Sequence, residues 1–200
     1  MYYSEMKQAV KILANEWNLG KRESGATGDV CAWIYLFSVL EESERIVIYK
    51  DGRKLIGFAG YSKRNSKKHL LNKKIYGTIK NKLYKSKDIK DLNALKEYEN
   101  NYDYLPQELK DYFDGELSIL IVDKDYRGKD IGRKLLQEVF TLANKDNMKN
   151  LQILTDESCN YKFYENCGCE KIYETIVKNQ EYGKLGKTLK EKAFIYEKKL

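Results

Sequence analysis

Residues 117–145 join a strand directly to a helix through a short polar turn. The run Leu117–Val122 is continuously apolar and β-prone, which is typical of a central strand covered on both faces. After the turn 123–127, apolar side chains recur at helical spacing from residue 128 to residue 145. This unit predicts an α/β fold with Leu117–Val122 near the middle of the sheet.

The rest of the chain supplies further strands and helices, so we expect a mixed central β-sheet flanked by helices. Hydrophobic periodicity and turn signals place these elements. The apolar run 30–40 suits a buried helix or strand, and we favour a helix. The predicted elements are helix 5–19 with Ser4 as N-cap and Gly20 as its end, helix 30–40, a hairpin of strands 45–49 and 54–61 around Asp51-Gly52, strand 151–155, a short helix 161–166 before Gly168, and strands 171–177 and 193–198.

Charge is distributed unevenly along this chain, whose formal net charge is +7. Residues 62–87 contain ten lysines and arginines and no acid, whereas residues 88–116 contain nine acids and three lysines. Apolar side chains at roughly helical spacing predict a mostly helical insertion over 63–114. A nucleic-acid partner is not expected, because the cations are not combined with aromatic stacking platforms or a known binding signature.

Length and composition exclude several classes of protein. Two hundred residues with 42% hydrophobic residues fit one globular domain over residues 1–200. The longest apolar run is far shorter than a membrane span, and the N-terminus lacks a secretory leader, so we expect no membrane association and a cytoplasmic protein. The four cysteines do not form paired clusters and His69 is distant from them, so we expect no metal.

The segment Tyr126–Arg133 has the composition of an anion site. A turn that enters a helix presents unpaired N–H groups and the positive end of the helix dipole, and glycines let a phosphate approach the backbone. Arg127, Lys129 and Arg133 add positive charge. The segment lacks the ending of a P-loop and the spacing of a dinucleotide fingerprint, so the residues alone predict only a phosphate-bearing ligand.

The same segment resembles the acetyl-CoA-binding motif of the GNAT N-acetyltransferase superfamily in its Arg-Gly-x-Gly-x-Gly form. Arg127 and Gly132 match the ends of that motif, and Asp130 stands where its middle glycine is most usual. The stretch Asn160–Gly168 resembles a second family motif, although Cys169 replaces the phenylalanine that usually follows. The resemblance extends over residues 116–200 and the hairpin, and it is absent across 63–114.

The resemblance implies a single-domain GNAT fold and acetyl-CoA as co-substrate. It implies that loop amides hold the pyrophosphate and that the preceding strand offers main-chain groups to the pantetheine arm. The implied cofactor-binding residues are Leu120, Ile121, Val122, Arg127, Gly128, Lys129, Asp130, Ile131, Gly132, Arg133 and Asn160. For Asn160, the alternative to binding the cofactor is a role as helix N-cap.

Two catalytic residues follow from the resemblance. Tyr164 matches the family tyrosine that hydrogen-bonds the sulfur of CoA, and a phenol can protonate a departing thiolate. Its alternative role is packing. Glu116 begins the central strand, where several family members carry a glutamate that deprotonates the amine through water. Asp156 is a competing candidate for this base, and an exposed strand-start glutamate is the alternative for Glu116.

The resemblance implies direct acetyl transfer to a primary amine of a small molecule or peptide in a ternary complex. The acids of 88–116, with tyrosines between them, are candidates to receive a cationic amine; the alternative is a solvated face that balances the neighbouring lysines. A homodimer is compatible with the sequence. The alternative function is a non-catalytic GNAT-fold binding protein that docks an acidic partner or nucleic acid on the lysine-rich stretch 62–87.

Overall fold

The structure is a computed structural model that describes residues 1–17, 29–89, 105–109, 111–180 and 188–200. Helices and strands are mixed along the chain. In order they are α1 (Tyr3–Glu16), α2 (Val30–Glu42), β1 (Arg45–Asp51), β2 (Lys54–Lys63), α3 (Lys67–Asn72), a π-helical turn (Lys73–Gly77), α4 (Thr78–Leu83), a 3-10 turn (Gln107–Leu109), β3 (Gly115–Val122), a second 3-10 turn (Lys124–Tyr126), α5 (Ile131–Lys145), β4 (Asn150–Asp156), α6 (Lys162–Glu165), β5 (Glu170–Gln180) and β6 (Thr188–Lys199).

The six strands form one sheet in the order β1-β2-β3-β4-β6-β5. All neighbours are antiparallel except β3 and β4, which are parallel. The expected mixed sheet with β3 inside it is therefore confirmed. The prediction that β3 is covered on both faces is confirmed: Ile119 and Ile121 belong to one hydrophobic cluster, and Leu117 belongs to a second, against which the half-buried Leu120 and Val122 also pack.

Helices cover the sheet in two hydrophobic clusters. In the first, α1 and α2 pack on Phe58, Ile119 and Ile121. In the second, α5 packs over β1, β2 and β3, and its side chain Leu135 shares a cluster with Tyr61, Leu117 and Ile153. Because the sheet lies between these clusters, its strand ends remain at the edges of the core, where a site can be built.

Helix α2 confirms the helical interpretation of the apolar run 30–40, while the predicted cap of α1 was wrong. The N-cap is Tyr2 rather than Ser4, and the backbone N–H of Tyr2 donates to Glu5 Oε2 at 2.7 Å. The Glu5 carboxylate therefore closes the helix start from inside the first turn. The predicted end at Gly20 lies outside the described residues.

The insertion contains a helical stretch over residues 67–83, where α3, the π-helical turn and α4 follow one another without a break. The described residues after it include a 3-10 turn, so helix is confirmed for that part, and residues 90–104 and 110 lie outside the described residues. Within the described part, no helix is long and apolar enough to cross a membrane.

Candidate functional site

The turn between β3 and α5 is held by its own backbone. The N–H of Asp123 donates to Ile56 O at 2.8 Å, and the Asp123 carboxylate accepts from the N–H of Asp125 at 3.1 Å. The backbone N–H of Lys134 donates to Asp130 O at 3.1 Å, the first hydrogen bond of α5. The amides of the first turn of α5 precede that bond and enter no intrahelical hydrogen bond, so they are donors for an anion at the helix N-terminus.

Two left-handed residues explain where α5 begins. Gly128 has φ +76° and Asp130, the N-cap, has φ +60°. The prediction of a helix from residue 128 was therefore wrong, because left-handed backbone cannot continue a right-handed helix. Asp is among the side chains that tolerate this conformation, which accounts for its place at a position where glycine is usual.

The charged side chains of the turn are partly engaged with one another. The Asp130 carboxylate accepts from Arg133 Nε at 3.1 Å, and Arg133 Nη1 also donates to Asn166 O at 3.0 Å. Arg127 forms an ion pair with Glu16 at the end of α1. Lys129 lies over the ring of Tyr126 at 4.8 Å. Asp130 is therefore neutralised by Arg133.

Helix α6 lies against this turn. A Cβ built on Gly132 would come within 3.5 Å of Phe163 Cζ, so the ring packs directly on the first turn of α5. Tyr164 is half-buried, with its ring centroid 5.4 Å from that of Phe163 and 5.8 Å from that of Tyr196. The predicted turn and the predicted acid therefore belong to adjoining elements.

Asn160 and Asp156 lie between β4 and α6. Asn160 is exposed and its carbonyl accepts from Phe163 N–H at 3.1 Å, but Tyr161 is the N-cap of α6, so the capping alternative for Asn160 was wrong. The buried Asp156 carboxylate accepts from Ser158 N–H at 2.9 Å and from Ser158 Oγ at 2.5 Å. Asp156 is therefore occupied by its own turn, which makes it a weaker candidate for the base.

A cleft opens between the two parallel strands. Among the described residues, β3 and β4 pair only at Glu116 and Gln152, so they separate toward their carboxyl ends. A β-bulge in the pairing of β2 with β3 places Ser118 between Leu117 and Ile119 with no partner residue across the strand. The Ser118 hydroxyl is buried and has no hydrogen-bond partner among the described residues. Both features leave polar groups of β3 available to a ligand.

Glu116 lies at the closed end of this cleft. Its Oε2 accepts from Gln152 Nε2 at 2.6 Å. Glu197, which pairs with Gln152 from β6, is buried and its Oε1 accepts from Tyr112 Oη at 2.8 Å. Register partners share a sheet face, so the two glutamates flank Gln152 on one surface. The exposed-strand-start alternative for Glu116 does not fit, because its carboxylate is held by a buried amide.

A cavity of about 620 Å³ opens beside Glu116. Its lining combines both charges with apolar side chains, and it draws on the ends of β2 and β3 and on the start of α3. The lining residues are Glu42, Ser62, Lys63, Arg64, Asn65, Ser66, Lys67, Leu70, Leu105, Phe113, Gly115, Glu116 and Gln152.

One described acid of the insertion fits the alternative of a solvated face that balances the neighbouring cations, because Asp111 forms an ion pair with Arg64 at 2.6 Å. Asp114 instead accepts from the backbone N–H of Lys149 at 2.6 Å. Most of the acids and tyrosines expected to receive a cationic amine lie outside the described residues, among them Glu97, Tyr98, Glu99, Tyr102, Asp103 and Tyr104.

All four cysteines are free thiols. Burial raises the pKa of the Cys169 thiol to about 12, so this cysteine stays protonated at neutral pH. In the part of the chain that the structure describes, no group of three or more His, Cys, Asp or Glu residues is placed to hold a metal ion.

Sequence reasoning missed three features of the site. Gln152, Ser118 and the Tyr112–Glu197 pair were not singled out, although a glutamine and a serine inside otherwise apolar strands are a signal that both have a polar partner or a ligand. The bulge at Ser118 and the cavity depend on long-range pairing, which leaves no local pattern in the sequence.

Comparison with known proteins gives a family. The acetyltransferase (GNAT) family profile matches residues 8–169. The curated proteins give no match. Among solved structures, PH1933 from Pyrococcus horikoshii OT3 is 19% identical over 100% of this chain and 94% of its own, with TM-score 0.58. An aminoglycoside 6'-N-acetyltransferase complexed with coenzyme A is 14% identical over 97% of this chain and 89% of its own, with TM-score 0.56.

A third structure, from Bacillus anthracis str. Ames in complex with acetyl coenzyme A, is 20% identical over 78% of this chain, with TM-score 0.45; the match spans 61% of that chain. The two matches that cover nearly the whole chain show the same fold. Since the family profile spans most of the chain, including the β3–α5 turn and α6, the protein belongs to the acetyltransferase (GNAT) family.

Proposed function

We propose that this protein transfers the acetyl group of acetyl-CoA to a primary amine of a small molecule or peptide, by direct attack in a ternary complex. The observation that carries the proposal is the placement of an anion site and a carboxylate at opposite ends of β3. From Glu116 to Val122 the strand rises by about 20 Å. The cleft beside it gives an extended pantetheine arm a path from the turn toward Glu116.

The residues of the turn fit the phosphates of CoA. Amides of the first turn of α5 would donate to the pyrophosphate, and the exposed Lys129 and Lys134 would add charge. Leu120, Ile121 and Val122 would offer main-chain groups to the pantetheine arm on the side where β3 leaves β4. Because Gly132 has no side chain, the Phe163 ring lies close to the first turn of α5 and would form one side of the CoA site.

Acetyl-CoA supplies an acyl group on a thiolate leaving group. In the reaction, the neutral amine nitrogen forms a bond to the acyl carbon and the C–S bond breaks. The Glu116 carboxylate takes the proton that the nitrogen loses, directly or through water, and its bond from Gln152 holds it in place. The Tyr164 phenol gives a proton to the sulfur, and exchange with solvent restores both groups.

Ligand-dependent unfolding tests the donor. Acetyl-CoA at about 100 times its Kd adds about 2.7 kcal/mol to the free energy of unfolding, which corresponds to a rise in melting temperature of about 5–10 °C, while ATP and NAD serve as controls. Release of CoA thiol with a panel of amines then tests the transfer. Absence of a selective acetyl-CoA shift would contradict the proposal and favour a binding protein without turnover.

We propose that the protein is cytoplasmic, and its four free thiols are compatible with a reducing compartment. Fractionation of the native host with an antibody against the protein would test this placement.

A further inference from the structure

The helical stretch 67–83 is fixed to the body of the protein along one line of residues. Tyr76 stacks on Phe37 of α2 with ring centroids 6.0 Å apart, and Lys80 forms an ion pair with Glu41 at 2.6 Å. Asn72 Nδ2 donates to Ser43 O at 2.9 Å. These residues recur every four positions, so this face of the stretch is anchored to α2.

A second line of residues on the same stretch faces solvent. Leu71, Ile75 and Ile79 also recur every four positions and are 59%, 47% and 38% exposed. They come one residue before the anchored line, which places them about 100° around the helix from it. Lys67, four residues before Leu71, begins this line. We name Lys67, Leu71, Ile75 and Ile79 the 67–79 stripe.

The 67–79 stripe starts at the cavity beside Glu116. Lys67 and the 71% exposed Leu70 both line that cavity. From Lys67 to Ile79 the helix rises by about 18 Å, the length of five or six residues of extended peptide. A chain whose amine enters the cavity therefore meets the stripe as it leaves.

The charge around the stripe is positive. Lys73, Lys74 and Lys82 are exposed and form no ion pair with any residue that the structure describes, and residues 62–87 contain no acid. A symmetric contact between two copies would bring the same lysines together and is opposed by their repulsion. The surface is complementary to a partner with acidic and apolar side chains.

We propose that the acceptor is a peptide or protein segment that lays acidic and apolar side chains along the 67–79 stripe while its amine occupies the cavity beside Glu116. This inference rests on the proposed acetyl transfer and deepens it by naming the substrate class. It gives the lysine-rich stretch a role in substrate binding, in place of a function without turnover.

Peptide binding tests the inference without requiring turnover. Two labelled ten-residue peptides, each with a single lysine, carry either alternating Glu and Leu or alternating Arg and Ser after it. By fluorescence anisotropy with the CoA-bound protein, the acidic peptide is expected to bind at least tenfold tighter. Binding should weaken as salt rises. Equal Kd values for the two peptides would overturn the inference.

Paired variants locate the binding. Leu71→Ser with Ile75→Ser should weaken the acidic peptide about tenfold, which equals about 1.4 kcal/mol, whereas the matched control Ile176→Ser, at a 63% exposed isoleucine on β5, should change Kd less than twofold. Lys73→Glu with Lys74→Glu should reverse the peptide preference, and the control Lys11→Glu with Lys145→Glu should keep it. Unchanged binding in the stripe variants would contradict the inference.

Acetylation assays, and tests of two other possible partners of the 67–79 stripe, complete the experiment. With Nα-acetyl-lysine amide as a single-residue acceptor, the stripe variants should keep their kcat/KM while losing it for the acidic peptide. Peptide binding without acetylation of any amine would contradict the proposed function alone. Binding to phosphatidylglycerol vesicles without a peptide preference, or a dimer in sedimentation that the Leu71→Ser and Ile75→Ser changes dissociate, would overturn the inference.

Discussion

The two ends of β3 are built from sequence in different ways. At its carboxyl end, one continuous stretch, 123–133, supplies the turn, the left-handed residues and the helix N-terminus. At its amino end, the cavity draws on residues as distant as Glu42 and Gln152. The carboxyl end of β3, which we call the donor end, is therefore formed by one continuous segment. The amino end, which we call the acceptor end, forms only when the hairpin, the insertion and β4 pack together. Local changes should alter donor binding at the first end and chemistry or specificity at the second.

The largest expected effect is at the acceptor end. Glu116→Gln keeps the shape of the side chain and removes the base, so kcat for amine acetylation should fall by about 10²–10³ at neutral pH. The measurement is a pH–rate profile, in which the limb due to the base should disappear. Glu108→Gln, at an exposed glutamate of the insertion, is the matched control. A kcat within twofold of wild type for Glu116→Gln would show that another group is the base.

The next effect concerns Tyr164, the proposed acid for the sulfur of acetyl-CoA. Tyr164→Phe keeps the ring packing against Phe163 and Tyr196 and removes the phenol, so kcat should fall by about tenfold to 100-fold while the Kd of acetyl-CoA stays the same. Tyr161→Phe, whose ring packs on Phe194 at 4.5 Å, is the control. Equal kinetics in the two variants would reduce Tyr164 to a packing residue.

The next prediction concerns how the stability of the cavity wall at the acceptor end depends on pH. The Asp146 carboxylate accepts two hydrogen bonds from Arg45, of 2.9 and 2.6 Å, and one from Tyr61 Oη at 2.5 Å. The side chain of Lys63, which lines the cavity, donates to the backbone carbonyl of Asp146. Arg45, with a further contribution from Tyr61, lowers the pKa of the Asp146 carboxyl to about 2. Because the folded pKa lies below the unfolded one, this stabilisation is present above about pH 4 and is lost as pH falls toward 2.

Asp146→Asn should therefore lower the free energy of unfolding by about 1–2 kcal/mol at pH 7, or the melting temperature by about 2–8 °C. The difference from wild type should shrink in melts repeated toward pH 2. A difference independent of pH would show that the ionised carboxylate is not what fixes the cavity wall.

The smallest effect tests the unusual residue of the donor end. Asp130→Gly removes a negative charge from the anion site and relieves the left-handed backbone, so the Kd of acetyl-CoA should tighten about threefold to fivefold by calorimetry. Asp125→Gly, elsewhere in the same turn, is the control. Weaker binding would mean that Asp130 is needed to hold Arg133 for the phosphates.

These contrasts also explain what could be predicted from sequence. The turn, α5, the hairpin and the presence of the last three strands follow from local spacing, and all are confirmed apart from shifts at their ends. The start of α5 was misplaced because Asp130 gives no local sign of its left-handed backbone. The cap of α1 was misplaced because Tyr2 is not a usual capping residue and Glu5 makes the bond instead.

The acceptor end was less predictable because its contacts are long-range. Glu116 was predicted because the family resemblance implies a glutamate at the start of the central strand, but no local pattern indicated Gln152 as its partner. The exposed 67–79 stripe depends on which helix face α2 covers, and periodicity alone does not tell a covered face from an open one. Register and packing, which decide both, are set by the whole fold.

Calorimetric titration of acetyl-CoA into three proteins tests the division between the ends most directly. Gly128→Val introduces a β-branched side chain at φ +76°, where its backbone conformation strains the turn although its Cβ would meet no atom within 4 Å. We expect a Kd at least tenfold weaker for Gly128→Val than for wild type, and a wild-type Kd for Glu116→Gln. A wild-type Kd for Gly128→Val, or weakened binding for Glu116→Gln, would contradict this division.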